Sequence, residues 1–209
     1  ELYQRVRAAG ASMVASAGNE ASSLPSYPAA YDGVISVAAV DAQRQRTSYS
    51  NTGSSIDIAA PGGNNSVDLN GDGYPDGVLS TGGLEAGGSY GYSFQSGTSM
   101  AAPHVAGVLA LMKSVNPGLS PADIEALLIR GELSDDLGAP GRDNEFGYGL
   151  INAQSAVLAA IEAAGGTPAD NPVLSASAST LNFSSQVETL ELELRNGGGG
   201  ELELTELTT

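Results

Sequence analysis

Up to residue 164 the apolar positions switch between short continuous runs and helical spacing. Leu2, Val6 and Ala9 share one helix face, and Gly10 sits where a helix end needs a left-handed residue. Ser12 to Ala17 reads as a short strand that stops at Gly18-Asn19. Val34 to Val40 is a second strand, and Ile56 to Ala59 a third, ended by Pro61-Gly62-Gly63. Such β-branched, nearly unbroken runs suit a sheet covered on both faces. A long stretch from Gly62 to Gly97 is rich in glycine, serine and asparagine. A helix is predicted from Ser99 to Lys113, with Val105, Val108, Leu109 and Met112 on its buried side and Pro103 near its first turn. Ser120 and Pro121 open another helix, with Asp123 in the first turn and Gly131 as the stop. A last helix runs from an Asn152 cap to Gly165-Gly166. Strands followed by helices predict an α/β domain.

The pattern changes at Gly165. Residues 165–172, Gly-Gly-Thr-Pro-Ala-Asp-Asn-Pro, read as a linker. Beyond it, Leu181 to Phe183, Leu190 to Leu194 and Glu201 to Leu204 alternate with period two, and Arg195 to Gly200 reads as the turn of a hairpin. Residues 173–209 are too few for an independent sandwich. They are expected to be the start of an all-β, sandwich-like appendage cut short.

Composition narrows the partners. The chain has 209 residues, with 24 acidic against 8 basic side chains and a net charge of −16, so it lacks the basic face that nucleic acid requires. An apolar content of 41% is enough for a core and argues against global disorder. Cysteine is absent, which excludes disulfides, thiol chemistry and cysteine-bound zinc. No window approaches the ~18 consecutive apolar residues of a membrane span. The chain opens Glu1-Leu2-Tyr3 without a leader or initiator Met, and is expected to be mature, excised or truncated.

The densest chemistry lies at Ser96-Gly97-Thr98-Ser99-Met100-Ala101-Ala102-Pro103-His104-Val105-Ala106-Gly107. A glycine-rich loop here delivers a serine to the start of an apolar helix. Unpaired N–H groups at that end carry partial positive charge and suit a developing oxyanion. Read locally, Ser99 or Thr98 is equally an ordinary helix cap, and Asn19 an ordinary turn residue. The single histidine, His104, lies five residues after Ser99. The two side chains then diverge by ~140° around the helix, so His104 is expected to be structural.

Gly97 to Gly107 taken whole resembles the nucleophile motif of the subtilisin-like serine proteases, the subtilases. Further segments resemble the same family in the same order: Val14 to Glu20, Tyr27 to Val37, Tyr49-Ser50-Asn51 with Asp57 to Gly62, and Gly147 to Asn152. The resemblance covers residues 1–164. It implies the C-terminal portion of a catalytic domain built on a mostly parallel sheet with helices on both faces. It further implies that Ser99 attacks a peptide carbonyl to form an acyl-enzyme. Asn19 and the Ser99 backbone N–H would donate to the oxyanion, with Thr98 in support. Ser16, Ala17 and Gly18 would form one wall of the primary specificity pocket, and Ser26 would lie near its base. Subtilases carry the triad aspartate and histidine upstream, in motifs resembling Asp-Ser-Gly and His-Gly-Thr-His. Neither string occurs here, so the chain is expected to need an upstream half as partner.

A separate motif precedes the nucleophile. Asp68, Asn70, Asp72, Tyr74 (through its carbonyl) and Asp76 place oxygens at loop positions 1, 3, 5, 7 and 9, with Gly73 at position 6. This spacing predicts a structural Ca²⁺ site. Position 12 is Leu79 and no helices flank the loop, so a true EF-hand is not expected. The loop looks like the helix-free calcium loops of bacterial surface repeats.

The expected function is therefore serine endopeptidase, secreted or at the cell surface of a bacterium, acting on protein or peptide. The alternatives are a calcium-binding adhesion or binding module on the same fold without activity, and a purely structural portion.

Overall fold

The computed structural model describes residues 2–82 and 91–166, together with the backbone of 174–176 and 194–196. The chain divides into two compact units, Glu1–Ala160 and Ile161–Thr209.

The first unit opens with α1 (Leu2–Ala8), then β1 (Met13–Ser16), β2 (Val34–Val40) and β3 (Ile58–Pro61). A hairpin follows, β4 (Val78–Gly82) and β5 (Gly91–Gln95), leading into α2 (Thr98–Val115) and α3 (Pro121–Ile129). Short strands β6 (Ser134–Asp135) and β7 (Leu150–Ile151) precede α4 (Ala153–Ala163). The main sheet has the order β1-β2-β3-β7-β6. Its first three pairings are parallel, and β6 joins β7 antiparallel. The expected mostly parallel α/β sheet is present.

Alternation along β2 and β3 sorts the core. Val37, Ala39, Ile58 and Ala60 face a cluster built with Val105, Leu109 and Met112 of α2, Ile124, Leu127 and Leu128 of α3, and Ala156 and Ala160 of α4. On the opposite face Ala38, Val40 and Ala59 meet Leu137 and Phe146. Among the described residues that second face is covered by a loop and not by a helix. Alanine methyl groups at 38 and 59 leave room for it to lie close.

The helix punctuation matches the expectation. Ser120 Oγ accepts from Asp123 N, and the Asp123 carboxylate accepts from Ser120 N–H. Asn152 Oδ1 accepts from Ser155 N at 3.1 Å. α1 forms as expected, with Gly10 at φ 88° just past its end; none of its residues is buried and Leu2 is 67% exposed. The Gly62–Gly97 stretch, for which the composition names no element, contains a hairpin in which β4 and β5 pair antiparallel from Val78↔Gln95 to Gly82↔Gly91. Its glycines and serines masked the alternation of Leu79 and Thr81 opposite Phe94 and Tyr92.

The segment before this hairpin is pinched at its base. Asn64 and Asp76 form an isolated antiparallel bridge, with Asn64 N donating to Asp76 O at 2.8 Å. Tyr74 stacks on Phe94, ring centroids 5.9 Å apart.

In the second unit β8 (Leu174–Ala176) pairs antiparallel with β9 (Leu194–Asn196). Arg195 and Asn196, expected in a turn, are therefore strand residues. Their partner is distant in sequence, which a local turn signal does not reveal. The strands expected at 181–183, 190–193 and 201–204 lie outside the described residues.

Candidate active site

β1 delivers the chain to a loop at its C-terminal end, Ala17 to Ser22, and α2 begins directly across from it. Gly97 precedes the helix with φ 153°, which a side chain would strain. Thr98 is fully buried. Its backbone N and its Oγ1 both donate to Asn19 Oδ1, each at 2.9 Å. The same hydroxyl accepts from Gly18 N at 3.2 Å. The carbonyl side of the Asn19 amide is thereby fixed, and none of the described hydrogen bonds uses its Nδ2. Ser99, the next residue, is exposed at the first turn of α2, and none of the described hydrogen bonds uses its backbone N–H. Two donors and one hydroxyl thus meet at one helix mouth, an arrangement able to hold a developing oxyanion beside a nucleophile.

The loop is held from behind by residues 49–52. Asn51 N donates to Gly18 O, Ala21 N to Tyr49 O, and Thr52 N to Ser22 O. Tyr49 lies half-buried beside them, donates to Gly63 O at 2.7 Å, and has its pKa raised chiefly by burial. His104 is exposed, and its Nδ1 lies 2.8 Å from Met100 O, one helical turn back. That contact ties it to its own helix and not to Ser99, as expected.

The match to the Subtilase family model runs over residues 1–149. This chain belongs to the subtilase family. Relatives include an extracellular protease of Xanthomonas campestris, 41% identical over 73% of this chain and 24% of that protein. Subtilisin BL of Lederbergia lenta is 37% identical, over 74% of this chain and 50% of that protein. Among solved structures, a protease of Pseudoalteromonas arctica superposes with TM-score 0.65 at 38% identity, covering 76% of this chain and 45% of the other. A lanthipeptide protease gives TM-score 0.61 at 30% identity, covering 74% and 54%. The subtilase chain therefore spans about a quarter to a half of the relatives it matches.

Of the residues expected at the site, Gly18, Asn19, Thr98 and Ser99 come together, with Ser16 and Ala17 leading into the same loop from β1. Ser26 accepts through its carbonyl from Ala30 N at 2.8 Å. A cavity of about 460 Å³ lies elsewhere, between Arg7, Ser12, Tyr31, Asp57, Glu125 and Tyr148. Arg7 and Glu125 pair across it. Asp57 Oδ2 accepts from Ser36 N at 2.8 Å, and burial pushes its carboxyl above the usual 3.8.

In the acidic loop each carboxylate is engaged by backbone donors. Asp68 accepts from Gly71, Asp72 and Gly73 N–H, Asp72 from Tyr74 N, and Asp76 from Leu69 N. Asn70 Nδ2 donates to Asp72 Oδ2 at 3.0 Å. The all-oxygen donor set fits a hard cation in its chemistry. Among the described residues, however, no three acidic or histidine side chains gather as a ready-made metal cage.

Two residues with a bearing on the site, Asn51 and Glu20, lie in segments that resemble the family but carry no role in the sequence reading. Asn51 is 3% exposed, and its amide links to both ends of the Asn19 loop. Followed by Thr52-Gly53, it looks in sequence like any turn asparagine.

Proposed function

We propose that this chain is the nucleophile-bearing part of a secreted subtilase endopeptidase that cleaves peptide bonds through an acyl-enzyme on Ser99. The observation that carries the proposal is the pair of hydrogen bonds from Thr98 to Asn19 Oδ1, which brings the asparagine amide to the residue beside Ser99. Ser99 Oγ attacks the scissile carbonyl carbon, and a general base takes its proton and passes it to the leaving amine. Asn19 Nδ2 and the Ser99 N–H carry the negative oxygen of the tetrahedral intermediate. Water then hydrolyses the ester by the same steps.

The general base must come from a segment outside this chain, since its one histidine is held against Met100 O. We place that segment upstream. Two features support this. β1 is an edge strand of the sheet although its sequence, Met-Val-Ala-Ser, suits an interior position, and all four residues are half-exposed. On α2, Ala106, Gly107 and Ala110 are exposed beside Leu111, which is 51% exposed. We further propose that the Asp68–Asp76 loop takes a structural Ca²⁺ through the oxygens of Asp68, Asn70, Asp72, Tyr74 and Asp76. The extracellular names of relatives such as the Xanthomonas protease support secretion.

The test is labelling by a fluorophosphonate in the protein carrying its upstream segment. Ser99 is expected to label and Ser99→Ala to remain unlabelled. Wild-type protein that stays unlabelled would favour the second reading, a calcium-binding adhesion or binding module without activity.

A further inference from the structure

We propose that Asn51 is a positioning residue for the Asn19 oxyanion donor and for the pocket wall that leads to it. The inference rests on the protease reading above.

Asn51 is 3% exposed, a setting in which an unpaired amide would be costly. Its amide is instead fully engaged, and every partner lies in the loop that carries Asn19. Oδ1 accepts from Glu20 N and from Ser22 N, both at 3.0 Å. Nδ2 donates to Ala17 O and to Glu20 Oε2, also both at 3.0 Å. One planar group therefore spans the loop from Ala17 to Ser22, with Asn19 between its attachment points. Gly18 has φ 109°, and a Cβ there would collide with the Asn51 amide, so the loop is shaped around that side chain.

The clamp is anchored in the sheet. Ser50, fully buried, accepts from Ala39 N of β2 at 3.0 Å and donates to Asn51 O at 3.2 Å. Asn51 N in turn donates to Gly18 O at 3.0 Å. The front of the Asn19 loop is fixed by Thr98 and its back by Asn51. Without the second support, Asn19 remains tethered through Oδ1 but the backbone beneath it is free to shift. A preorganised donor loses its advantage on displacements of that kind. Asn51 also holds the Glu20 carboxylate, so its loss is expected to move a negative charge at the pocket's edge.

The experiment is a double-mutant cycle on Asn19→Ala and Asn51→Asp, in the protein carrying its upstream segment, read as kcat and KM on a peptide amide. Asn51→Asp keeps the acceptor for Glu20 N and Ser22 N but replaces the donor to Ala17 O with an oxygen. It also sets a carboxylate against Glu20. Asn19→Ala alone is expected to lower kcat by roughly 10²–10³, the range characteristic of losing the oxyanion asparagine in subtilisin itself. Asn51→Asp alone is expected to lower kcat at least ~10-fold with KM changed far less. The double variant should lose no more than about 2-fold beyond Asn19→Ala, because a residue acting through Asn19 has nothing left to position.

Losses that multiply in the double variant would overturn the proposal, as would an unchanged kcat in folded Asn51→Asp. Failure of both Asn51→Asp and the smaller Asn51→Ser to fold would overturn it too, making Asn51 a structural residue only. An Asn19→Ala variant with full activity would refute the oxyanion assignment itself, a separate outcome.

Discussion

Thr98 holds Asn19 Oδ1 with two donors at once, its backbone N–H and its hydroxyl, each 2.9 Å away. An amide gripped by its oxygen can present only its nitrogen to a substrate. In the proposed protease reading, the grip selects which end of Asn19 would face the reacting carbonyl. It also couples the end of β1 to the mouth of α2 through a side chain with no exposed surface.

Thr98→Val keeps the shape and the backbone donor but removes the hydroxyl from both Asn19 and Gly18 N. A lost buried hydrogen bond costs ~1–3 kcal/mol. Where it supports a transition-state donor, this amounts to roughly a tenfold or greater fall in kcat. KM should change little, and Thr98→Ser should recover most of the activity. Steady-state kinetics on a peptide amide checks both variants.

Calcium should stabilise the acidic loop and the hairpin it packs on. At a free concentration of 100 times Kd, binding to the folded state alone is worth about 2.7 kcal/mol. Thermal melts in calcium and in chelator should differ by several degrees, and Asp68→Asn should abolish the difference. Identical melts for the wild type would reject the calcium site.

The pH dependence carries two opposite signs. Asp57 is raised above 3.8, mainly by burial, against the Ser36 N–H bond and the Arg142 charge. The folded state then holds this proton more tightly than the unfolded chain. Its contribution to stability is full at low pH and is lost as pH rises from 3.8 through the higher folded value. Asp123 is lowered by the Ser120 hydroxyl and N–H, so its contribution is present above the ordinary carboxylate range and lost on acidification. Asp57→Asn keeps an acceptor for Ser36 N and removes the buried charge. Its stability relative to wild type should therefore increase across the window in which wild-type Asp57 ionises. Urea unfolding between about pH 3 and pH 8 measures the trend, and a flat or falling difference would contradict it.

Met112 is fully buried where α2 packs on the sheet. Met112→Ala should cost ~2–5 kcal/mol, through lost transfer free energy and the cavity left behind. The measurement is the urea midpoint at constant m-value.

Much of this was legible in the sequence where a single local cause fixes the outcome. The α3 start was readable because Ser120, Pro121 and Asp123 each satisfy a specific need of a helix end. The β2 run was readable because seven consecutive small or β-branched residues fit only a doubly covered strand. The meeting of the Asn19 loop with the start of α2 was legible only through the likeness of whole segments to a family, since nothing near Asn19 announces a partner 79 residues away in Thr98. What stayed hidden depends on distant pairing. β6 and β7 are two residues long and exist only through each other and β3. The loop that packs on the second sheet face is set by Leu137 and Phe146 finding Ala38 and Ala59. Asn51 is indistinguishable from a surface turn residue until the chain that folds over it is known.

The bridge between Asn64 and Asp76 gives the molecule an adjustable port. Because the acidic segment leaves and re-enters at one point, its length is nearly decoupled from the scaffold, and each doubling adds only ~0.6 kcal/mol of closure entropy. Evolution or an engineer can therefore exchange this segment for a longer recognition arm, an ion chelator or a fluorescent reporter while the sheet and the Asn19–Thr98 contact behind it keep their shape.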